Sequence, residues 1–158
     1  VQHWIFKSEP STFGIDDLAQ APGRTTHWDG VRNFQVRNMM RDQMQRGDLG
    51  LFYHSSCEVP GVYGTVKVAG PGYPDPSAFD PKHRYFDAES RREEPRWFCV
   101  DVKLARRFAR PVTLDELRRH ATGALRDLLI LRRGNRLSIT PLTAEQYEFI
   151  VELAGAAA

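Results

Sequence analysis

Trp28–Asn38, read as WDGVRNFQVRN, brings an indole, an Asp-Gly pair, a phenylalanine and two Arg-Asn pairs into one short stretch. Guanidinium and carboxamide groups are planar and hydrogen-bond in pairs, which is how base edges and phosphates are held. An aromatic face among them offers a stacking platform. Asp29-Gly30 reads as a tight turn, since glycine takes positive φ at no steric cost. Phe34–Arg46 contains neither Gly nor Pro, and Val36, Met40 and Met44 recur at helical spacing. Asn33 stands where an N-cap would. The turn would hold Trp28 beside the start of that helix, as one wall of a site for a flat, hydrogen-bonding ligand next to a phosphate backbone. The plainer alternative makes Trp28 a core aromatic and the arginines a solvated helix face.

Other reactive residue types form weaker groupings. Lys7-Ser8-Glu9 resembles a Ser/Lys pair, but adjacent strand side chains point to opposite faces, so Lys7 is badly placed to activate Ser8. Lys7 and Glu9 share a face, as an ion pair or an acid/base pair. His54 and Ser56 would share another, without a third residue to orient the imidazole. His54 and Cys57 are the one pair near metal-ligand spacing, and no second pair accompanies them, so no metal or other cofactor is expected. No glycine-rich phosphate loop joins a strand to a helix. Basic residues cluster as Arg32, Arg37, Arg41 and Arg46, again as Arg106, Arg107 and Arg110, and again as Arg132, Arg133 and Arg136. With Trp28, Tyr53 and Trp97 available for stacking, that interleaving favours nucleic acid as partner.

The totals set the frame. A chain of 158 residues, 41% hydrophobic, suffices for one globular domain, and a net charge of +2 permits a nucleic-acid partner without requiring it. Two cysteines imply no disulfide framework. The longest aliphatic run, Leu128–Leu131, is too short to span a bilayer, and the N-terminus lacks an apolar signal core, so a soluble, cytoplasmic protein without membrane contact is expected.

Elements that would position these groups follow in order. Gln2–Lys7 alternates as a strand, with Trp4 and Phe6 on one face. Ile15–Ala21 is a short helix stopped by Pro22-Gly23. Leu49–Tyr53 is a buried strand, and Gly61–Ala69 is another, with Val62, Val66 and Val68 on one face. Five prolines between Gly70 and Pro95 exclude regular structure there, leaving a long functional or mobile loop. Trp97–Ala105 is a strand with Phe98, Val100, Val102 and Leu104 inward, ended by Pro111. Thr113–Glu116 and Thr143–Gln146 are capping boxes opening helices. Arg136–Pro141 is a last strand; Tyr147, Ile150 and Val151 are the buried stripe of the final helix, and Ala154–Ala158 should fray. Five or so strands among three or four helices, without a βαβ rhythm, argue for α+β, a small partly closed barrel flanked by helices.

The segments WIFKSEP, WDGVRNFQVRN, GDLGLFYHSS, GTVKV, YPDPSAF, PRWFCVDV and RLSITPL resemble, in order and from Trp4 to about Leu153, those of the EVE domain family. The resemblance implies a PUA-like pseudo-barrel of five to six strands flanked by helices, spanning 1–158 as one domain. It also implies a non-enzymatic module that takes a modified base of DNA, a methylcytosine derivative, into a pocket. The motifs place Lys7, Ser8, Glu9, Trp28, Val31, Arg32, Asn33, Tyr53, His54, Ser55, Ser56, Arg96, Trp97, Arg136, Leu137 and Ser138 at that pocket, and the basic first long helix would set Arg37, Arg41 and Arg46 on phosphates. Trp28 would stack on the base; Ser8, Asn33 and Ser56 would meet its polar edge; Val31 and Leu137 would face a methyl group. Where the family has YQARN and HSN, this chain has Phe34 and Ser56. RNA carrying a modified base, a small hydrolase of modified nucleosides and a plain interaction domain are the alternatives.

Overall fold

The computed structural model describes residues 1–156. Its frame is a six-stranded sheet curled into a half-barrel. The strands are β1 (His3–Ser8), β2 (Thr25–His27), β3 (Leu49–His54), β4 (Gly61–Val68), β7 (Asp101–Thr113) and β8 (Ile139–Leu142), and a two-stranded ribbon joins β5 (Tyr73–Pro74) to β6 (Phe98–Cys99). The sheet order is β2-β7-β4-β3-β1-β8. β1 and β3 run parallel at its centre, and every other pairing is antiparallel. Four helices cover it: α1 (Ile15–Gln20), α2 (Phe34–Asn38), α3 (Leu114–Arg118) and α4 (Ala144–Ala156).

The sheet is buried on both faces, so β1 carries two cores. Trp4 and Phe6 face one, with Ile15 and Leu18 of α1, Val36 of α2 and Met40. Ile5 points the other way, into a second core with Leu117 of α3 and Ile150 and Ala154 of α4. A central parallel pair covered on both sides has no polar face to show.

Local chemistry accounts for the helix ends. The Asn33 side chain accepts a hydrogen bond from Val36 N at 3.0 Å and caps α2. Thr143 and Gln146 complete a reciprocal box at the start of α4, with bonds of 2.9 and 3.0 Å. Thr113 accepts from Glu116 N to cap α3. α2 does not continue as an α-helix to Arg46. After Asn38 it widens into a π-helical turn, Met39–Gln43, closed by Met44 N donating to Met39 O. Val36, Met40 and Met44 are all buried as their spacing requires, and Met39 joins them.

Five other elements depart from expectation. β7 runs through Pro111 to Thr113. The ladder to β4 skips from Gly64–Arg107 to Val62–Val112, so the proline sits in a bulge where no ladder N–H is required. The same irregularity at Tyr63 reverses the side-chain alternation of β4: Val66 and Val68 face the first core and Val62 the second. Phe98 is half-buried and belongs to the β5–β6 ribbon rather than to β7. The proline-rich 70–95 segment contains strand β5 and a 3-10 turn at Pro76–Phe79, capped by Asp75. At the C-terminus α4 continues through buried Ala154 to Ala156, past the point where fraying is expected, and the last two alanines lie outside the described residues. No helix among the described residues is long and apolar enough to cross a membrane.

Candidate nucleic-acid interface

One open cleft of about 670 Å³ lies at the end of the half-barrel, a size suited to a small-molecule site. Four chain segments border it. The end of β1 and the following turn bring Lys7, Ser8, Glu9, Thr12 and Phe13; the β2–α2 connection brings Thr26 through Asn33; His83, Arg84 and Tyr85 come from the proline-rich loop, and Arg136 and Ser138 from the approach to β8. Of the residues the sequence singles out, Lys7, Ser8, Glu9, Trp28, Val31, Arg32, Asn33, Arg136 and Ser138 meet here. The wall from His83 to Tyr85 is new, because a run of His, Arg and Tyr inside a proline-rich loop carries no spacing signal of its own.

Trp28 is distinguished from the other two tryptophans by its indole nitrogen. Trp4 Nε1 donates to Asp48 at 3.0 Å, and Trp97 Nε1 donates to Asp87 at 2.7 Å. Both rings are buried. Trp28 Nε1 has no acceptor among the described residues, and the residue is only part-buried, packed against the first core and bordering the cleft. Phe6 and Phe52 fix it at steep interplanar angles, 66° and 83°, with centroids 5.2 and 5.7 Å away. Its main-chain N–H donates to Val100 O at 2.7 Å. The indole is thus held rigidly, while no described ring lies parallel on it.

Beneath the β2–α2 connection sits a carboxylate that sequence reasoning did not reach. Asp75, fully buried, accepts from Gly30 N at 2.8 Å and from Arg32 Nη1 at 3.1 Å through one oxygen. Its other oxygen accepts from Ser77 N and Oγ, at 2.8 and 2.6 Å. Burial pushes the Asp75 carboxyl up, but these donors outweigh it and hold the group below its usual range. Arg32 also donates to Val31 O, Ser77 Oγ and Tyr85 O. Its guanidinium therefore ties the cleft walls together and keeps few donors for a ligand. Gly30 has φ +77°, and a Cβ there would run into the Tyr85 ring, so glycine is required twice over.

Ser8 Oγ donates to Phe13 O at 2.7 Å, and Ser8 O accepts from Ser55 N at 2.9 Å. Burial lowers the pKa of the half-exposed Lys7 ammonium, and no ion pair joins it to Glu9 among the described residues. Lys7 N donates to Ser138 O at 2.8 Å, which ties β1 to the approach to β8.

The remaining sequence-chosen residues fall outside the cleft lining. Tyr53 packs in the second core, and burial pushes its hydroxyl pKa to about 12. His54 is 7% exposed and stacks on Tyr63 with centroids 3.9 Å apart. Its Nε2 accepts from Ile15 N at 3.1 Å, and burial lowers its pKa, so the imidazole is neutral and anchors α1. Ser55 is half-buried, and Ser56 is exposed at φ +53°. Leu137 packs against the first core. Trp97 lies under Phe34, stacked at 4.8 Å, with the Arg32 guanidinium 5.3 Å from its ring. Arg96 donates to Glu89 at 3.0 Å. Arg37 donates to Arg96 O at 2.7 Å, Arg41 forms a two-pronged pair with Asp42 at 2.7 and 2.9 Å, and Arg46 is exposed beyond the π turn.

Comparisons with known proteins identify the family. The EVE domain family model matches residues 2–153. Thymocyte nuclear protein 1 of Gallus gallus is 40% identical over 96% of this chain and 68% of its own length. The Homo sapiens protein of that name is 39% identical over 96% of this chain and 73% of its own. Among solved structures, human THYN1 in complex with 5-methylcytosine-containing DNA matches with a TM-score of 0.91 at 37% identity, covering 98% of both chains. A Pseudomonas syringae protein matches with a TM-score of 0.88 at 41% identity, covering 96% of this chain and 99% of that one. A match of this extent, in sequence and in fold, places the chain in the EVE domain family.

Proposed function

We propose that this chain is a non-enzymatic reader of a modified base in DNA, a cytosine derivative such as 5-methylcytosine, and that the base leaves the duplex to enter the cleft. The observation that carries the reading is Trp28: a rigidly packed indole at the cleft, with no ring parallel to it and no acceptor for its nitrogen among the described residues. A base inserted there stacks on it, and such a stack contributes about 1–3 kcal/mol. Asn33 and Ser138 border the same space and can meet the polar edge of the base, while Val31 offers an apolar patch to a methyl group. The likeness to human THYN1, solved with 5-methylcytosine-containing DNA, supports the choice of ligand. Catalysis is disfavoured because the Ser8 proton is directed to Phe13 O, and no described carboxylate or imidazole hydrogen-bonds to that hydroxyl.

Extracting a base costs a few kcal/mol, so cleft contacts must exceed that cost for the modified base. Titration of fluorescent duplexes with and without one 5-methylcytosine tests the reading. The wild type should prefer the methylated duplex, and Trp28→Ala should reduce both duplexes to one common weak affinity. Equal preference in the two proteins would contradict it.

A further inference from the structure

The inference rests on that reading: a protein that draws a base into the cleft must also hold the DNA backbone there. A base in the cleft leaves its two flanking phosphates at the mouth, so the cations that meet them must border the cleft and have donors to give. The arginines of the 32–46 stretch fail one condition or the other. Arg32 is committed to Asp75, Val31 O and Tyr85 O. Arg37 is committed to Arg96 O and to Asn38, and Arg41 to Asp42, and neither borders the cleft.

Two other arginines meet both conditions. Arg136 is exposed at the cleft margin, with no ion pair or hydrogen bond to its guanidinium among the described residues. Arg84 is exposed at the margin on a different segment. Its guanidinium lies 4.6 Å over the Tyr85 ring, and one of its nitrogens donates to the Tyr85 hydroxyl. Tyr85 is itself fixed, since its carbonyl accepts from Arg32 and its ring lies against Gly30. Arg84 thus lies against Tyr85, and its remaining N–H groups have no partner among the described residues. The carboxylates bordering the cleft are Glu9 and Asp29, and Asp29 lies 3.8 Å from His27.

We propose that Arg84 and Arg136 grip the phosphates flanking the base in the cleft, and that Arg37 and Arg41 do not. Each phosphate neutralised by a protein cation adds about 0.9 to the slope of log K against log salt for duplex DNA. The test is that slope, measured with a 5-methylcytosine duplex. Arg84→Ala and Arg136→Ala should each lower its magnitude by about 0.9, and the double variant by about 1.8, with the methylated-over-unmethylated ratio preserved. Arg84→Lys and Arg136→Lys should keep the slope, because the charge remains; this separates phosphate contact from a structural role of the guanidinium. Arg119→Ala, exposed on the far side of the sheet from the first core, should leave it unchanged. Wild-type slopes in both alanine variants would overturn the proposal, as would a slope lost on Arg41→Ala and retained in those two. A wild type that binds no methylated duplex would overturn the base-reading function itself, an outcome distinct from binding with unchanged slopes.

Discussion

Trp4, Trp28 and Trp97 carry the same side chain, and their indole nitrogens separate their roles. Asp48 and Asp87 accept from the outer two, which makes those rings structural; the middle one borders the cleft and has no such acceptor among the described residues. The same kind of reasoning redistributes the His54-Ser55-Ser56 cluster. His54 accepts from Ile15 N only while unprotonated, and burial lowers its pKa, so the unfolded chain takes up a proton that the folded chain resists. This group therefore costs no stability above the ordinary histidine pKa of about 6.5, and an increasing amount as pH falls below it toward the folded value. His54→Gln keeps an acceptor without titrating, so the loss of Tm between pH 7.5 and pH 5 should be smaller in the variant. Ser56 occupies φ +53°, a region asparagine adopts more readily than serine. The family's HSN pattern thus fits a backbone demand at this position, away from the cleft lining. Ser56→Asn should raise stability by a few tenths to about 1 kcal/mol in chemical denaturation and leave base preference unchanged.

At the scale of elements, the cleft is framed by strand ends and the connections that follow them, and the Asp75–Arg32 pair fixes two of those segments, the β2–α2 connection and the proline-rich loop, relative to each other. Residues 43 apart in sequence, on a turn and in a proline-rich loop, give no periodic or motif signal of their pairing. Short-range features were legible: the Asn33 cap, the Thr143–Gln146 box and the buried Val36-Met40-Met44 stripe all rest on spacings of a few residues. The bulge at Tyr63 was not, because it depends on the partner strands, and one extra residue there turned Val62 to the opposite core. The FYHSS motif groups Tyr53 and His54 with the site, whereas the second core holds Tyr53 and the anchoring of α1 holds His54. Asp75→Ala leaves the Arg32 guanidinium without its carboxylate and the Gly30 and Ser77 N–H groups without their acceptor. Removing one partner of such a buried pair costs about 3–5 kcal/mol, so a Tm well below that of the wild type is expected, together with weaker DNA binding as the Tyr85 wall loosens. An unchanged Tm would show that the pair does not hold the walls.

Across the whole molecule, a sheet covered on both faces by helices leaves the ends of the half-barrel as the places where polar groups and space coincide. The net charge of +2 is too small to bring DNA in by itself, so recognition must come from local groups at the cleft. The central claim is that the base leaves the stack to meet Trp28, and a fluorescent purine analogue, 2-aminopurine, placed beside the 5-methylcytosine in a duplex reports this directly. Its emission is quenched by stacking on the neighbouring base. Saturating wild-type protein should raise that emission, and Trp28→Ala, added to equal occupancy, should raise it far less. A fully bound wild-type complex in which the analogue stays as dark as in free duplex would contradict the account.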